Sequence, residues 1–239
     1  MYITSSALFA ALVSFAQAQT TPQGFSPSVN TMLPVIFNST SVSTPGQQLT
    51  IAETAQQPQL ALSSSDVSSS DTYMFIMVDL DIPPMGNSTS RNTLLHAMIT
   101  DFKATSQTLT DSSVLLTSQQ IGPAAYIGPA PPETDTVAHR YVELLFQQPS
   151  TLQVSADDFQ EVSDRIGFDV SSFMEENGLS EPVAGNFFTV DPRAGNNATA
   201  TSTGGIVMNT LQPFEGVAVE KKVSLGLVGL LGGLALLLV

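Results

Sequence analysis

The sequence predicts a mostly-β domain of the sandwich type, set between two apolar terminal segments. Apolar runs of strand length recur at irregular spacing, and Gly, Pro, Ser and Asp separate them. Helix-cap signals gather in one stretch, residues 155–178.

In chain order, Val35 to Phe37, Gln48 to Ile51 and Gln59 to Leu62 are short strand candidates bounded by turn residues. Thr72 to Val78 and Arg140 to Phe146 are continuous apolar runs, as expected of strands buried on both faces. Leu94 to Phe102 and Ala184 to Val190 read as two further strands. Two short helices are expected late in the domain. Ser155 caps the first, with Asp158 at its third position, Phe159, Val162 and Ile166 on one face, and Gly167 closing it. Asp169 caps the second, with Val170, Phe173 and Met174 facing the core and Gly178 in the left-handed terminal position.

The ends suggest a compartment. Ala7 to Ala16 is a short apolar run followed by Ala16-Gln17-Ala18, the small-x-small pattern of a secretory cleavage site, so residues 1–18 read as a signal peptide. Lys221-Lys222 precedes an apolar run from Val223 to Val239, and small residues lie upstream at Ser202 to Gly205 and at Asn209. That order fits a cleaved GPI-anchor signal, with a single-pass helix as the alternative. The expected organisation is a domain over 19–193, a Ser/Thr/Gly/Asn-rich stalk over 194–205, and spacer plus anchor signal over 206–239. The expected location is the extracellular face of the plasma membrane or the cell wall. Asn38, Asn87 and Asn197 begin glycosylation sequons.

The chain has no cysteine, so a packed core must hold the domain without disulfides. About 180 residues are enough for one such core. A formal charge of −14, with only 7 Lys and Arg, excludes nucleic acid, whose phosphates demand clustered cations. Nothing resembles a HExxH helix, a GxSxG elbow, a Walker loop or a cysteine nucleophile, so no catalytic residue, metal ligand or cofactor is expected.

The only two histidines sit in Leu95-His96-Ala97 and Ala138-His139-Arg140-Tyr141, downstream of Asp79-Leu80-Asp81-Ile82-Pro83. Imidazole N–H groups, the Tyr141 hydroxyl and backbone N–H groups of a Gly/Pro turn together can donate to an oxyanion. Asp79 and Asp81 would raise the histidine pKa values and fix their tautomers, or else simply shape the turn after a strand. Arg140 is expected to pair with an acidic neighbour or cover the sheet, and Glu133 and Asp135 to be solvated loop charges.

Asp79 to Pro83, Leu95-His96, Tyr126-Ile127-Gly128-Pro129-Ala130-Pro131-Pro132, His139-Arg140-Tyr141-Val142, Phe146-Gln147-Gln148-Pro149 and Leu179-Ser180-Glu181-Pro182-Val183-Ala184-Gly185-Asn186-Phe187-Phe188, in that order, resemble the phosphatidylethanolamine-binding protein family. That family includes the Raf kinase inhibitor proteins, plant flowering regulators and a yeast inhibitor of carboxypeptidase Y. The resemblance implies a large central antiparallel sheet, a smaller second sheet, short C-terminal helices, and an anion pocket at one end of the large sheet. Position by position, the pocket would be lined by Asp79, Asp81, Pro83, His96, Gly128, Pro131, His139 and Tyr141, with Phe188 where many relatives carry a tyrosine. A monomeric, non-enzymatic protein is implied, binding a phospholipid head group or small phosphorylated ligand. The alternative is a regulator of a protein partner, such as an inhibitor of a secreted or vacuolar peptidase.

Overall fold

The computed structural model describes residues 19–194 apart from residue 110. The expected signal peptide, the stalk from residue 195, the Asn197 sequon and the anchor segment lie outside these residues.

Ten strands follow in chain order: β1 Val35–Phe37, β2 Thr40–Ser41, β3 Gln47–Leu49, β4 Gln59–Ser63, β5 Tyr73–Ile82, β6 Asn92–Thr108, β7 Ser113–Thr117, β8 Pro123–Ala124, β9 His139–Gln147 and β10 Ala184–Val190. One short helix, α1 Val170–Asn177, precedes β10. The strands join in a single sheet of order β2-β1-β4-β7-β6-β5-β9-β10-β3, with β8 also paired to β6. Every pairing is antiparallel except β10 with β3.

The expected second sheet is therefore part of the first. The reason is β6, a strand of 17 residues whose first part pairs with β5 and whose last part pairs with β7. It turns a corner at Asp101, where φ is +62°. Gln148 braces that corner, accepting from the Asp101 N–H at 2.8 Å and donating to its carboxylate at 3.0 Å. Because the strand bends without ending, β2, β1, β4 and β7 fold over the central strands as one curled sheet.

Curling puts two apolar layers on the central strands. Tyr73, Phe75 and Met77 of β5 with Tyr141 and Leu145 of β9 face Val35, Phe37, Leu60 and Leu62 across the inner core. Alternate residues Met74, Ile76, Val78, Val142, Leu144 and Phe146 face outward under Val170, Phe173 and Leu179. Burial on both faces explains why β5 and β9 read as unbroken apolar runs. Asp169 caps α1 by accepting from the Ser172 N–H at 2.7 Å, and Gly178 ends it at φ +62°.

The first expected helix is instead two 3-10 turns, Ala156–Phe159 and Val162–Arg165. Ser155 and Asp158 do form their reciprocal cap, but Glu161 and Asp164 form a second one that restarts the chain within a turn. Val162 is half exposed, and Arg165 is the buried side chain, donating to Phe159 O and Ala125 O. Short β2, β7 and β8 carry no sequence signal strong enough to stand out.

Candidate functional site

Of the candidate residues, Asp79, His96, His139, Tyr141 and Phe188 converge at one end of β5, β6, β9 and β10. Register places Asp79 opposite Tyr141 and Tyr141 opposite Phe188, so the three form a row across adjacent strands. His139 stands two residues before Tyr141 and shares its face. His96 arrives by a bulge: Met77 pairs with Ala97 and Val78 with Leu95, leaving His96 as the extra residue. The bulge turns its ring into the cluster, edge-on to Tyr141 at 5.2 Å.

His139 Nδ1 lies 2.8 Å from Asp79 Oδ2, and His139 Nε2 lies 3.0 Å from Asp135 Oδ2. Both ring nitrogens face carboxylates, so both donate and the ring is an imidazolium. Burial works against that charge, but the bonds to Asp79 and Asp135 hold the pKa above the ordinary imidazole value. His96 behaves oppositely. Its Nδ1–H donates to Ile127 O at 2.7 Å, and burial lowers its pKa, leaving Nε2 as a lone-pair acceptor.

Around the histidines the charges pair off. Arg140 donates from Nε and Nη2 to the two oxygens of Asp81 at 2.8 and 2.9 Å, and from its backbone N–H at 2.9 Å. Asp81 is desolvated, yet the Arg140 guanidinium keeps its carboxyl below the usual range. The Asp81 carboxylate therefore answers to Arg140 and hydrogen-bonds to neither histidine; its backbone N–H donates to Asp79 Oδ1 at 2.7 Å. Arg91 grips Asp135 with both Nη atoms at 2.8 Å and donates to Asp81 O. That guanidinium holds the Asp135 carboxyl far below the usual range.

The expectation of a solvated Asp135 is thus overturned. Asp135 is buried, because Arg91 and His139 neutralise it and the Val137 N–H caps it at 3.2 Å. Glu133 is exposed as expected. Arg91 and Glu143 had no signal in the sequence reading. A lone Arg ten residues after an Asp carries no local pattern, and Glu143 sits within an apolar strand.

The cluster is closed. His139, Tyr141 and Phe188 have no solvent exposure, and Asp79 and His96 have 1% and 3%. Phe188 stacks on Tyr141 where a tyrosine would bring a hydroxyl. Pro83 follows the end of β5, Pro131 is buried in the loop before β9, and a Cβ on Gly128 would meet Thr54 O at 3.3 Å. Among the described residues, the buried side-chain atoms without a hydrogen-bond partner are His96 Nε2, the Tyr141 hydroxyl and both Glu143 oxygens. Burial, and then the Asp79 carboxylate, push the Tyr141 phenol pKa far up, so it stays a donor. Burial alone raises the Glu143 carboxyl well above its ordinary value. No group of three or more His, Cys, Asp or Glu side chains among the described residues is arranged to hold a metal ion.

A family model described as phosphatidylethanolamine-binding protein matches residues 39–188. Phomoidride biosynthesis cluster protein N of Talaromyces stipitatus is 36% identical over 195 residues, 76% of this chain and 95% of that protein. Protein BROTHER of FT and TFL 1 of Arabidopsis thaliana is 32% identical over 166 residues, 69% of this chain and 81% of that one. Among solved structures, carboxypeptidase Y inhibitor complexed with its cognate proteinase aligns with 69% of this chain and 84% of its own, at 26% identity and a TM-score of 0.49. The chain belongs to the phosphatidylethanolamine-binding protein family and is a non-catalytic binding protein.

Proposed function

We propose that this binding protein works on a protein partner, as an inhibitor or regulator of a peptidase, through the loops at the closed end of the sheet. The observation that carries this reading is the closure itself: the carboxylates and histidines are buried and paired with one another or with Arg91 and Arg140, so the recognition surface is the loop shell outside them. Exposed apolar side chains on that shell, Met85 after β5 and Val137 before β9, supply contact area. Inhibition of carboxypeptidase Y by the purified protein is the first assay. Met85→Asp and Val137→Asp each weaken it by roughly tenfold or more, whereas His96→Ala leaves it within about twofold. Equal loss from His96→Ala overturns the loop reading.

A second reading has its own support. The Tyr141 O–H donor and the His96 Nε2 acceptor both lack a hydrogen-bond partner, and a phospholipid head group or other small phosphorylated ligand would satisfy both if a phosphate oxygen accepts from Tyr141 and its ammonium or P–OH donates to His96 Nε2. Calorimetric titration with phosphoethanolamine, repeated with His96→Ala, tests it.

We further propose that the protein is exported and held at the extracellular face of the plasma membrane or the cell wall by a GPI anchor. The reading rests on the Ala16-Gln17-Ala18 pattern and the apolar run from Val223. Asn38 and Asn87 are exposed, as glycan acceptors must be.

A further inference from the structure

We propose that Arg91 and His139 form a binding fork for a small oxyanion, of which the Asp135 carboxylate is the resident occupant, and that an external carboxylate or phosphate takes its place. This fork lies on the outer side of His139, away from the unpartnered His96 and Tyr141 atoms, and rests on neither reading above.

Its donors are those that oxyanion sites are made of. The two Nη atoms of Arg91 present a planar pair of N–H bonds at 2.8 Å to the two oxygens, and His139 Nε2 adds a third donor at 3.0 Å to one of them. The same three donors accept a carboxylate edge-on or two oxygens of a phosphate. The Arg91 side chain remains 28% exposed, so solvent reaches the fork from outside.

The charge balance favours an anion there. Arg91, Arg140 and His139 supply three cations, and Asp79, Asp81 and Asp135 three carboxylates. Asp81 is engaged by Arg140 and Asp79 by His139 Nδ1, so without Asp135 the permanently charged Arg91 guanidinium has no carboxylate partner and His139 Nε2 has no acceptor.

Asp135 is the one buried residue between Pro132 and Val137, in a loop whose neighbours are all exposed. Pro129 and Pro131 anchor the near end by packing. Among the described residues, the Asp135 carboxylate makes the only hydrogen bonds from residues 129–138 to the rest of the fold. Displacing it frees residues 132–137 without breaking a strand. Anion binding is thereby coupled to the position of Val137 and the loop surface around it.

Thermal unfolding of full-length Asp135→Ala decides the matter. In anion-poor buffer its Tm falls by on the order of 10 °C, since Arg91 and His139 lose the carboxylate they share. Acetate or phosphate at about 50 mM restores a large part of that loss, and chloride at equal ionic strength does not. Whichever of acetate and phosphate restores more identifies the preferred oxyanion. Arg91→Gln in the same background abolishes the recovery. Recovery equal in chloride, or persisting without Arg91, overturns the fork; phosphate bound only between His96 and Tyr141 gives that second result.

Wild type supplies the arm that does not depend on the variant folding. Phosphate titration followed by NMR shifts the His139 ring and the Val137 amide together, at least tenfold more weakly than in Asp135→Asn. Absence of both shifts up to about 100 mM phosphate overturns displacement in the native protein.

Discussion

Phe188 lies flat against Tyr141, their ring centroids 5.1 Å apart and their planes 13° from parallel, while Phe37 meets Phe188 edge-on at 5.2 Å. The row Asp79, Tyr141, Phe188 across three strands thus passes directly from charge to apolar core. Phe188→Ala should cost about 3–5 kcal/mol, because it opens a cavity and removes two aromatic contacts. Phe188→Tyr should also destabilise, by about 1–3 kcal/mol, unless its added hydroxyl finds a partner. Urea unfolding of both variants checks this; a loss below about 1 kcal/mol for Phe188→Ala would show that the stack is not structural.

Glu143 is the least compensated group in the fold. Its folded pKa is raised by burial above the unfolded value of about 4.3. Below about pH 4.3 both states are protonated and no penalty exists. Above it the unfolded chain releases its proton first, so stability falls by about 1.4 kcal/mol per pH unit until the folded carboxyl also ionises. Glu143→Leu should remove that slope and raise stability at pH 7 by at least about 1–3 kcal/mol. Parallel urea curves at pH 4 and pH 7 measure it, and an unchanged slope refutes the assignment.

The two histidines should titrate on opposite sides of about 6.5, His139 above and His96 below. For His139 the stabilisation is fully present below about pH 6.5 and is lost as pH rises through its folded value. His96 has the reverse sign: acidifying below about 6.5 protonates the unfolded chain first, so stability is lost as pH falls towards its folded value. NMR titration of the ring protons distinguishes them through His96→Gln. Two coincident titrations would show that the Asp79 and Asp135 contacts do not hold in solution.

Phosphatidylinositol-specific phospholipase applied to intact cells should release the protein into the medium if the GPI anchor is present. Retention, together with recovery of a peptide from the Val223 to Val239 run, identifies a transmembrane segment instead.

Strands β5, β6, β9 and β10 and helix α1 were legible because their signals are local: apolar runs of strand length, an Asp cap and a Gly at the left-handed end. The candidate cluster was legible as well, since scarce histidines, paired aspartates and a Gly/Pro loop stood in a family-like order. By itself, the sequence determined the long central strands, the capped helix and the histidine, aspartate and tyrosine side chains that meet at one end of the sheet. What tertiary structure alone decided were the relations across distance. The corner at Asp101 merges two expected sheets into one because Gln148, 47 residues on, braces it. The bulge at His96 sets its orientation through register with β5. Asp135 becomes a buried anion only because Arg91, 44 residues earlier, closes on it together with His139. A charge in a loop reads as solvated in one dimension; its burial depends on which cations the folded sheet brings within hydrogen-bond range, and no local pattern encodes that.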